Sequence, residues 1–201
     1  MTKKWLRERR NDPYHKLALA EGYRSRASYK LFQLNERFGF IKAGDVVLDL
    51  GAAPGGWMQA AREIVGEKGY VLGVDLKEID RFNYPNVESI VADVERLQLV
   101  DLESLLPHPP DAIVSDMSPN LSGVWSLDHF RQLDLARMTL RLSLQMLNSG
   151  GNMVVKVFQG EFYRSFLTEA KNHFQTVRTV KPKASRSESA EMYLVCLRFR
   201  G

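Results

Sequence analysis

Cysteine is almost absent from this chain of 201 residues. Cys196 stands alone, which excludes an intramolecular disulfide and points to a reducing compartment. Its apolar neighbours, Tyr193-Leu-Val-Cys-Leu197, mark it as a small core residue rather than a reactive thiol. Long apolar runs are missing as well. No stretch approaches the roughly 20 residues needed to span a bilayer, so no membrane role is expected. The basic N-terminus is not followed by an apolar segment, so it is no secretory signal, and a cytoplasmic location is expected. No metal centre is expected. The length suits one domain over residues 1–201 with a sizeable core.

Charge is present but unevenly spread. Residues 1–30 carry nine basic side chains against three acidic ones, a local charge of +6, which leaves −2 on the rest of a chain of net charge +4. A basic arm at about 1–25 on a near-neutral domain is the electrostatic footprint of a polyanion binder. Tyr14, Tyr23 and Tyr29 interleave with the charges, and aromatic faces can stack on bases, which favours RNA as the polyanion over DNA.

Beyond the arm the pattern alternates. Ala27, Leu31, Leu34 and Phe38 recur at helical spacing before Gly39, predicting a helix over about 26–38. Strand-like runs follow at 46–50, 70–75, 87–93, 112–116 and 152–158, separated by helical stretches near 56–65, 101–106, 127–148 and 160–172. That rhythm predicts an α/β fold, a mostly parallel sheet with helices on both faces. Two further strands, 174–180 and 192–200, have only residues 181–191 between them, too few for a helical crossover. A seven-stranded sheet with an antiparallel last strand results.

The segment Val46-Val-Leu-Asp-Leu-Gly-Ala-Ala-Pro-Gly-Gly-Trp57 is the most telling: a buried-looking strand runs into a glycine-rich turn. In an open α/β sheet, ligands lie at the carboxyl edge of the strands. Gly51, Ala53 and Gly56 keep only part of the dinucleotide fingerprint, and Pro54 stiffens the bend where a pyrophosphate would sit. A nucleoside cofactor without phosphates fits better, and S-adenosyl-L-methionine is the candidate. Asp49, Asp75, Asp93 and Asp116 all fall at strand ends. Asp75 is placed to accept both hydroxyl protons of a ribose, and Asp93 to bond the adenine amine. Each acid alone is also an ordinary cap or turn residue. Trp57 is either core or packed beside the methionine moiety. Lys156 interrupts Met153-Val-Val-Lys-Val-Phe158, a strand expected to be buried on both faces, where a lysine is costly unless paired or facing a cleft. Glu191 begins the last strand and can approach the same place. Met117 and Tyr193 are assigned to packing alone.

These residues resemble the FtsJ/RrmJ (RlmE) family of S-adenosylmethionine-dependent RNA ribose 2′-O-methyltransferases. The resemblance runs through Tyr23-Arg-Ser-Arg-Ala-Ser-Tyr-Lys-Leu31, the glycine-rich segment, Asp116-Met-Ser-Pro119, Val155-Lys-Val157 and Lys181-Pro-Lys-Ala-Ser-Arg-Ser-Glu-Ser-Ala-Glu191. It implies a Rossmann-like methyltransferase fold and a catalytic set of Lys30, Asp116, Lys156 and Glu191. Gly51 belongs to the glycine-rich cofactor turn, and the resemblance adds Gly55, Trp57, Asp75, Asp93 and Asp116 as cofactor contacts. The substrate it implies is a uridine of large-subunit ribosomal RNA, with transfer RNA anticodon loops as the alternative. A methyltransferase acting on a small molecule or a protein shares the cofactor half, but needs neither the four-residue set nor the basic arm.

Overall fold

Strand β1 (Val46–Leu50) is buried at every position, as a central parallel strand must be when helices cover both faces of its sheet. The computed structural model of the chain describes residues 12–201. Most of the basic arm, Lys3, Lys4, Arg7, Arg9 and Arg10 included, lies outside the described residues. The remaining elements are α1 (Pro13–Glu21), α2 (Ser28–Phe38), α3 (Gly56–Val65), β2 (Tyr70–Asp75), β3 (Val87–Val91), α4 (Leu99–Leu105), β4 (Ala112–Ser115), α5 (Trp125–Met146), β5 (Asn152–Phe158), α6 (Tyr163–His173), β6 (Phe174–Val180) and β7 (Glu191–Phe199).

Local chemistry sets several boundaries. Asp12 caps α1 by accepting from the His15 backbone N–H at 3.2 Å, with Pro13 in the first turn, where its missing N–H is not needed. Gly39 ends α2 in the left-handed region and returns its N–H to the Asn35 carbonyl at 2.7 Å. Two strands stop earlier than the sequence predicts. β3 ends at Val91 and β4 at Ser115, so Asp93 and Asp116 stand in the loops just beyond.

The seven strands lie in the order β3-β2-β1-β4-β5-β7-β6. All neighbouring pairs among the first five positions are parallel, and β7 runs antiparallel to both β5 and β6. One face is covered by α4, α5 and α6, with Leu102, Leu133, Leu140 and Phe166 packed on Leu48, Leu50, Val155 and Val157. The other is covered by α2 and α3, with Leu31, Leu34, Trp57 and Met58 against Val47, Val71, Val154 and Tyr193. Cys196 is part of the buried core, where desolvation pushes its thiol pKa up, as an inert packing residue requires.

The chain order reverses between β1 and β4, so the crevice at their carboxyl ends is the switch point where ligands of such sheets bind. The insertion of β7 has a second effect. Because it is antiparallel, its first residues meet the last residues of β5: Glu191 lies opposite Phe158, and Tyr193 opposite Lys156.

Candidate active site

Gly51 follows β1 with φ of 77°, and a Cβ there would come within 2.2 Å of Met117 Cγ. The loops after β1 and β4 therefore touch at the switch point, and only glycine allows the approach. Gly55 is equally constrained, since an added Cβ would strike Phe82 and the Arg24 guanidinium. Arg24 braces this turn: its backbone N–H donates to Gln59 Oε1 at 2.7 Å, its guanidinium lies 3.6 Å over the Phe82 ring, and Nη2 donates to the Arg81 carbonyl at 3.1 Å.

The acids on this rim have separate surroundings. Asp75 accepts from the Ala53 backbone N–H through Oδ2 and from the Lys77 backbone N–H through Oδ1, both at 2.9 Å, which ties the end of β2 to the glycine turn. Each carboxylate oxygen retains a second acceptor site. Asp93 caps the turn after β3, accepting from the Glu95 backbone N–H at 3.0 Å and pairing with Arg96 at 3.5 Å. Asp49 is buried inside β1, and its Oδ2 has no hydrogen-bond partner among the described residues. Burial, followed by the charges of Asp116 and Asp75, holds its carboxyl well above the ordinary carboxylate range. Trp57 is a core residue, 3% exposed; its indole N–H donates to the Ala27 carbonyl at 2.7 Å, and its ring lies 5.7 Å from that of Tyr193.

Lys30, Asp116, Lys156 and Glu191 come together from α2, the β4 loop, β5 and β7. Lys156 is 5% exposed, and its Nζ lies 3.2 Å from Asp116 Oδ1 and donates to the Asp116 carbonyl at 2.5 Å. Lys30 Nζ lies 2.8 Å from Glu191 Oε1 and 3.8 Å from Asp116 Oδ2. The two lysines thus reach the same carboxylate from different elements. A buried lysine alone would be strongly destabilising, and this pairing is what makes both tolerable. Burial by itself pushes Asp116 up, but Lys156 and Lys30, with the hydrogen bonds from Tyr193 and Lys156, outweigh it and hold the carboxyl below its usual range.

Tyr193 corrects the sequence reading, which gave it packing alone. It is fully buried, its hydroxyl donates to Asp116 Oδ1 at 2.6 Å, and Lys30 Nζ donates to that hydroxyl at 3.0 Å. Burial, then the charges of Asp116 and Glu191, push the phenol well up, so it stays a donor. The available signal was its spacing of two from Glu191, which puts both side chains on one face of β7. Met117 packs as expected, under the glycine turn. A cavity of about 440 Å³ opens beside the cluster, lined by Arg26, Ala27, Lys30, Arg186, Glu188, Ser189 and Glu191. Two basic residues of the segment before β7 are engaged within the protein. Arg186 pairs with Asp12 at 3.7 Å, and Lys181 Nζ donates to the carbonyls of Ser187 at 2.9 Å and Ser189 at 2.6 Å.

Comparison with known proteins gives a consistent picture. The FtsJ-like methyltransferase family model matches residues 23–199. A ribosomal RNA large subunit methyltransferase E from Methanococcus maripaludis strain C7 is 50% identical over 200 residues, covering 99% of this chain and 78% of that protein. A protein of the same description from Methanobrevibacter smithii is 44% identical, covering 100% of this chain and 96% of its own length. Among solved structures, a putative ribosomal RNA methyltransferase from Plasmodium falciparum matches with a TM-score of 0.79 and 32% identity over 89% of this chain and 100% of that one. Fibrillarin from Aeropyrum pernix, solved with natively bound S-adenosyl-L-methionine, has a TM-score of 0.60 at 16% identity over 87% of this chain and 75% of its own, a likeness of fold alone.

Proposed function

The chain belongs to the FtsJ-like methyltransferase family, and on that footing we propose that it methylates a ribose 2′-hydroxyl of large-subunit ribosomal RNA. The observation that carries this reading is the joining of Lys30, Asp116, Lys156 and Glu191 through the Tyr193 hydroxyl at the carboxyl edge of the sheet. Neither small-molecule nor protein methylation calls for such a set beside a basic segment.

S-adenosyl-L-methionine is the cofactor, and the residues present fit it. Gly51 and Gly55 keep side chains out of the turn that a nucleoside would approach, and Asp75, tied to that turn, keeps a second acceptor site on each carboxylate oxygen. Gly51, Gly55, Asp75, Asp93 and Asp116 would hold the cofactor, with Trp57 backing them from the core. When bound, it supplies a methyl group on a positively charged sulfur, already activated for displacement.

The chain's own residues then have to position a hydroxyl and remove its proton. Alignment of the hydroxyl oxygen with the methyl can supply several kcal/mol of the barrier. Lys156 is the residue that meets the hydroxyl. Asp116 engages its Nζ through two oxygens, which fixes where the amine points. In its neutral form that amine takes the 2′-hydroxyl proton as the oxygen attacks. Lys30 answers both Glu191 and Asp116, so the carboxylates are not left for Lys156 alone to balance. Residues 1–25 serve as an RNA-binding arm on a single methyltransferase domain, and the protein acts in the cytoplasm.

The test is transfer of labelled methyl groups to ribosomal subunits, transfer RNA and total protein, followed by mapping of 2′-O-methylation in cells with and without the protein. Loss at one large-subunit position is the expected result. Label confined to transfer RNA would move the substrate to the anticodon-loop branch, and label only in protein would overturn the reading.

A further inference from the structure

A second cluster stands at the carboxyl edge of the sheet and takes no part in the chemistry above. Trp125, at the start of α5, is 51% exposed, and Phe162, just before α6, is 45% exposed. Between them lies the buried ring of His129. Trp125 and His129 have centroids 6.2 Å apart at 18°, and His129 and Phe162 are 6.5 Å apart at 9°. The three rings are therefore nearly parallel, and the outer two are about half exposed. Neither ring nitrogen of His129 has a hydrogen-bond partner within ordinary limits among the described residues, although the Phe158 backbone still acts on the ring. Gly160 lies so close that a Cβ there would come within 2.7 Å of His129 Nε2. The imidazole is thus a fixed spacer held by shape.

This stack is continuous with the reacting centre. Trp125 also packs on Phe158, 5.9 Å away at 22°, and Phe158 is the cross-strand partner of Glu191. Gln132, on the same helix as Trp125 and His129, donates to the carbonyls of Lys156 at 3.0 Å and Met117 at 3.2 Å. Asp128 accepts from the backbone N–H of Ser122 at 2.7 Å and of Gly123 at 3.0 Å, which pins the β4 loop to the first turn of α5. The rings are consequently held in fixed relation to Asp116 and Lys156. Whatever chain enters the reacting centre therefore passes beside these rings, and in the reading above that chain is RNA.

Building on the RNA reading above, we infer that Trp125 and Phe162 form a stacking platform for an unpaired base of the substrate RNA, adjoining the ribose that is methylated. Stacking on an aromatic face is tolerant of base identity, so the platform would contribute to RNA affinity and positioning without choosing the sequence.

The experiment is steady-state methylation of large-subunit ribosomal RNA by the full chain and by Trp125→Ala, Trp125→Phe and Phe162→Ala, with cofactor affinity measured in parallel by calorimetry. Trp125→Ala should raise KM for RNA about tenfold, the effect of losing one base–aromatic stack. Its kcat should stay within about twofold, because the ring touches no reacting atom. Trp125→Phe should recover most of the loss, Phe162→Ala should show a smaller rise, and cofactor affinity should not change. An RNA KM unmoved in both alanine variants, while the unaltered chain methylates RNA normally, overturns the platform and leaves the function standing. An unmoved KM with altered sedimentation does the same and assigns the rings to a protein contact. Failure of the unaltered chain to methylate RNA overturns the reading on which the platform rests.

Discussion

Two carboxyl groups of this site lie close in the fold and titrate in opposite directions. Asp116 is held below its usual range by Lys156 and Lys30, so it contributes stability above the ordinary carboxylate pKa and loses that contribution as the pH falls through its lowered value. Asp49 is held above its usual range by burial, so its contribution is present below the ordinary pKa and is lost as the pH rises through the raised one. Asp49→Asn removes the second effect. In thermal unfolding of the free protein, the melting-temperature difference between Asp49→Asn and the unaltered chain should shift in the variant's favour as the pH is raised from 4 to 8; a constant difference would mean that Asp49 ionises normally. Lys156 allows a sharper test. Lys156→Ala should abolish methyl transfer while leaving cofactor affinity nearly intact. Lys156→Arg keeps the positive charge in a group that does not release its proton, so it should be as inactive as the alanine variant if Lys156 accepts the hydroxyl proton. Substantial turnover by Lys156→Arg would assign Lys156 to electrostatic steering instead. Tyr193→Phe removes one donor to Asp116 and one acceptor from Lys30, and should lower kcat by roughly tenfold without moving cofactor affinity.

The elements show why part of the site was legible from sequence and part was not. Strand β1, the glycine turn and Lys156 announce themselves locally, through an unbroken apolar run, a cluster of glycines and a cation where a valine is expected. The seven strands were readable for the same reason, and the short stretch before β7 argued correctly against a helical crossover. The role of Tyr193 had no local mark. It depends on the register that sets Tyr193 opposite Lys156, and a register between distant strands is decided by packing across the sheet. Asp93 and Asp116 were placed one or two residues too far inside strands, because β propensity does not reveal where ladder pairing stops. The stacked rings of Trp125, His129 and Phe162 escaped notice too, since they join a helix start to a loop nearly 40 residues later. At this scale Gly51→Ala is the informative change. Its Cβ would sit 2.2 Å from Met117 Cγ at a φ of 77°. The variant should lose about 1–2 kcal/mol, a fall of several degrees in melting temperature, and bind the cofactor more weakly. Unaltered cofactor affinity in calorimetry would separate the glycine turn from the cofactor.

Over the whole molecule, the positive charge is divided between cations that hold the fold and cations left for a partner. Arg26 and Arg186 both pair with Asp12, the residue that also caps α1, and Arg26 donates to the Ala184 carbonyl. Asp12 thereby ties the N-terminal helix to the segment leading into β7. A truncation that removes Asp12 would disturb this contact as well as any RNA contact, and its result could not be assigned to charge. Removal of residues 1–11 avoids the difficulty. It deletes Lys3, Lys4, Arg7, Arg9 and Arg10 against the single acid Glu8, and leaves the Asp12 cap in place. Neutralised phosphates release counterions, so each cation bound to a single strand steepens the dependence of log affinity on log salt by about 0.7. If the arm lies along the RNA backbone, the truncated chain should bind large-subunit RNA with a salt slope shallower by about 3, and cofactor affinity should be unchanged. Measuring RNA affinity from 50 to 200 mM salt decides the matter. A slope equal to that of the full chain would remove residues 1–11 from the RNA contact and leave the cavity beside Lys30 and Glu191, with Arg26 and Arg186 on its wall, as the main electrostatic anchor.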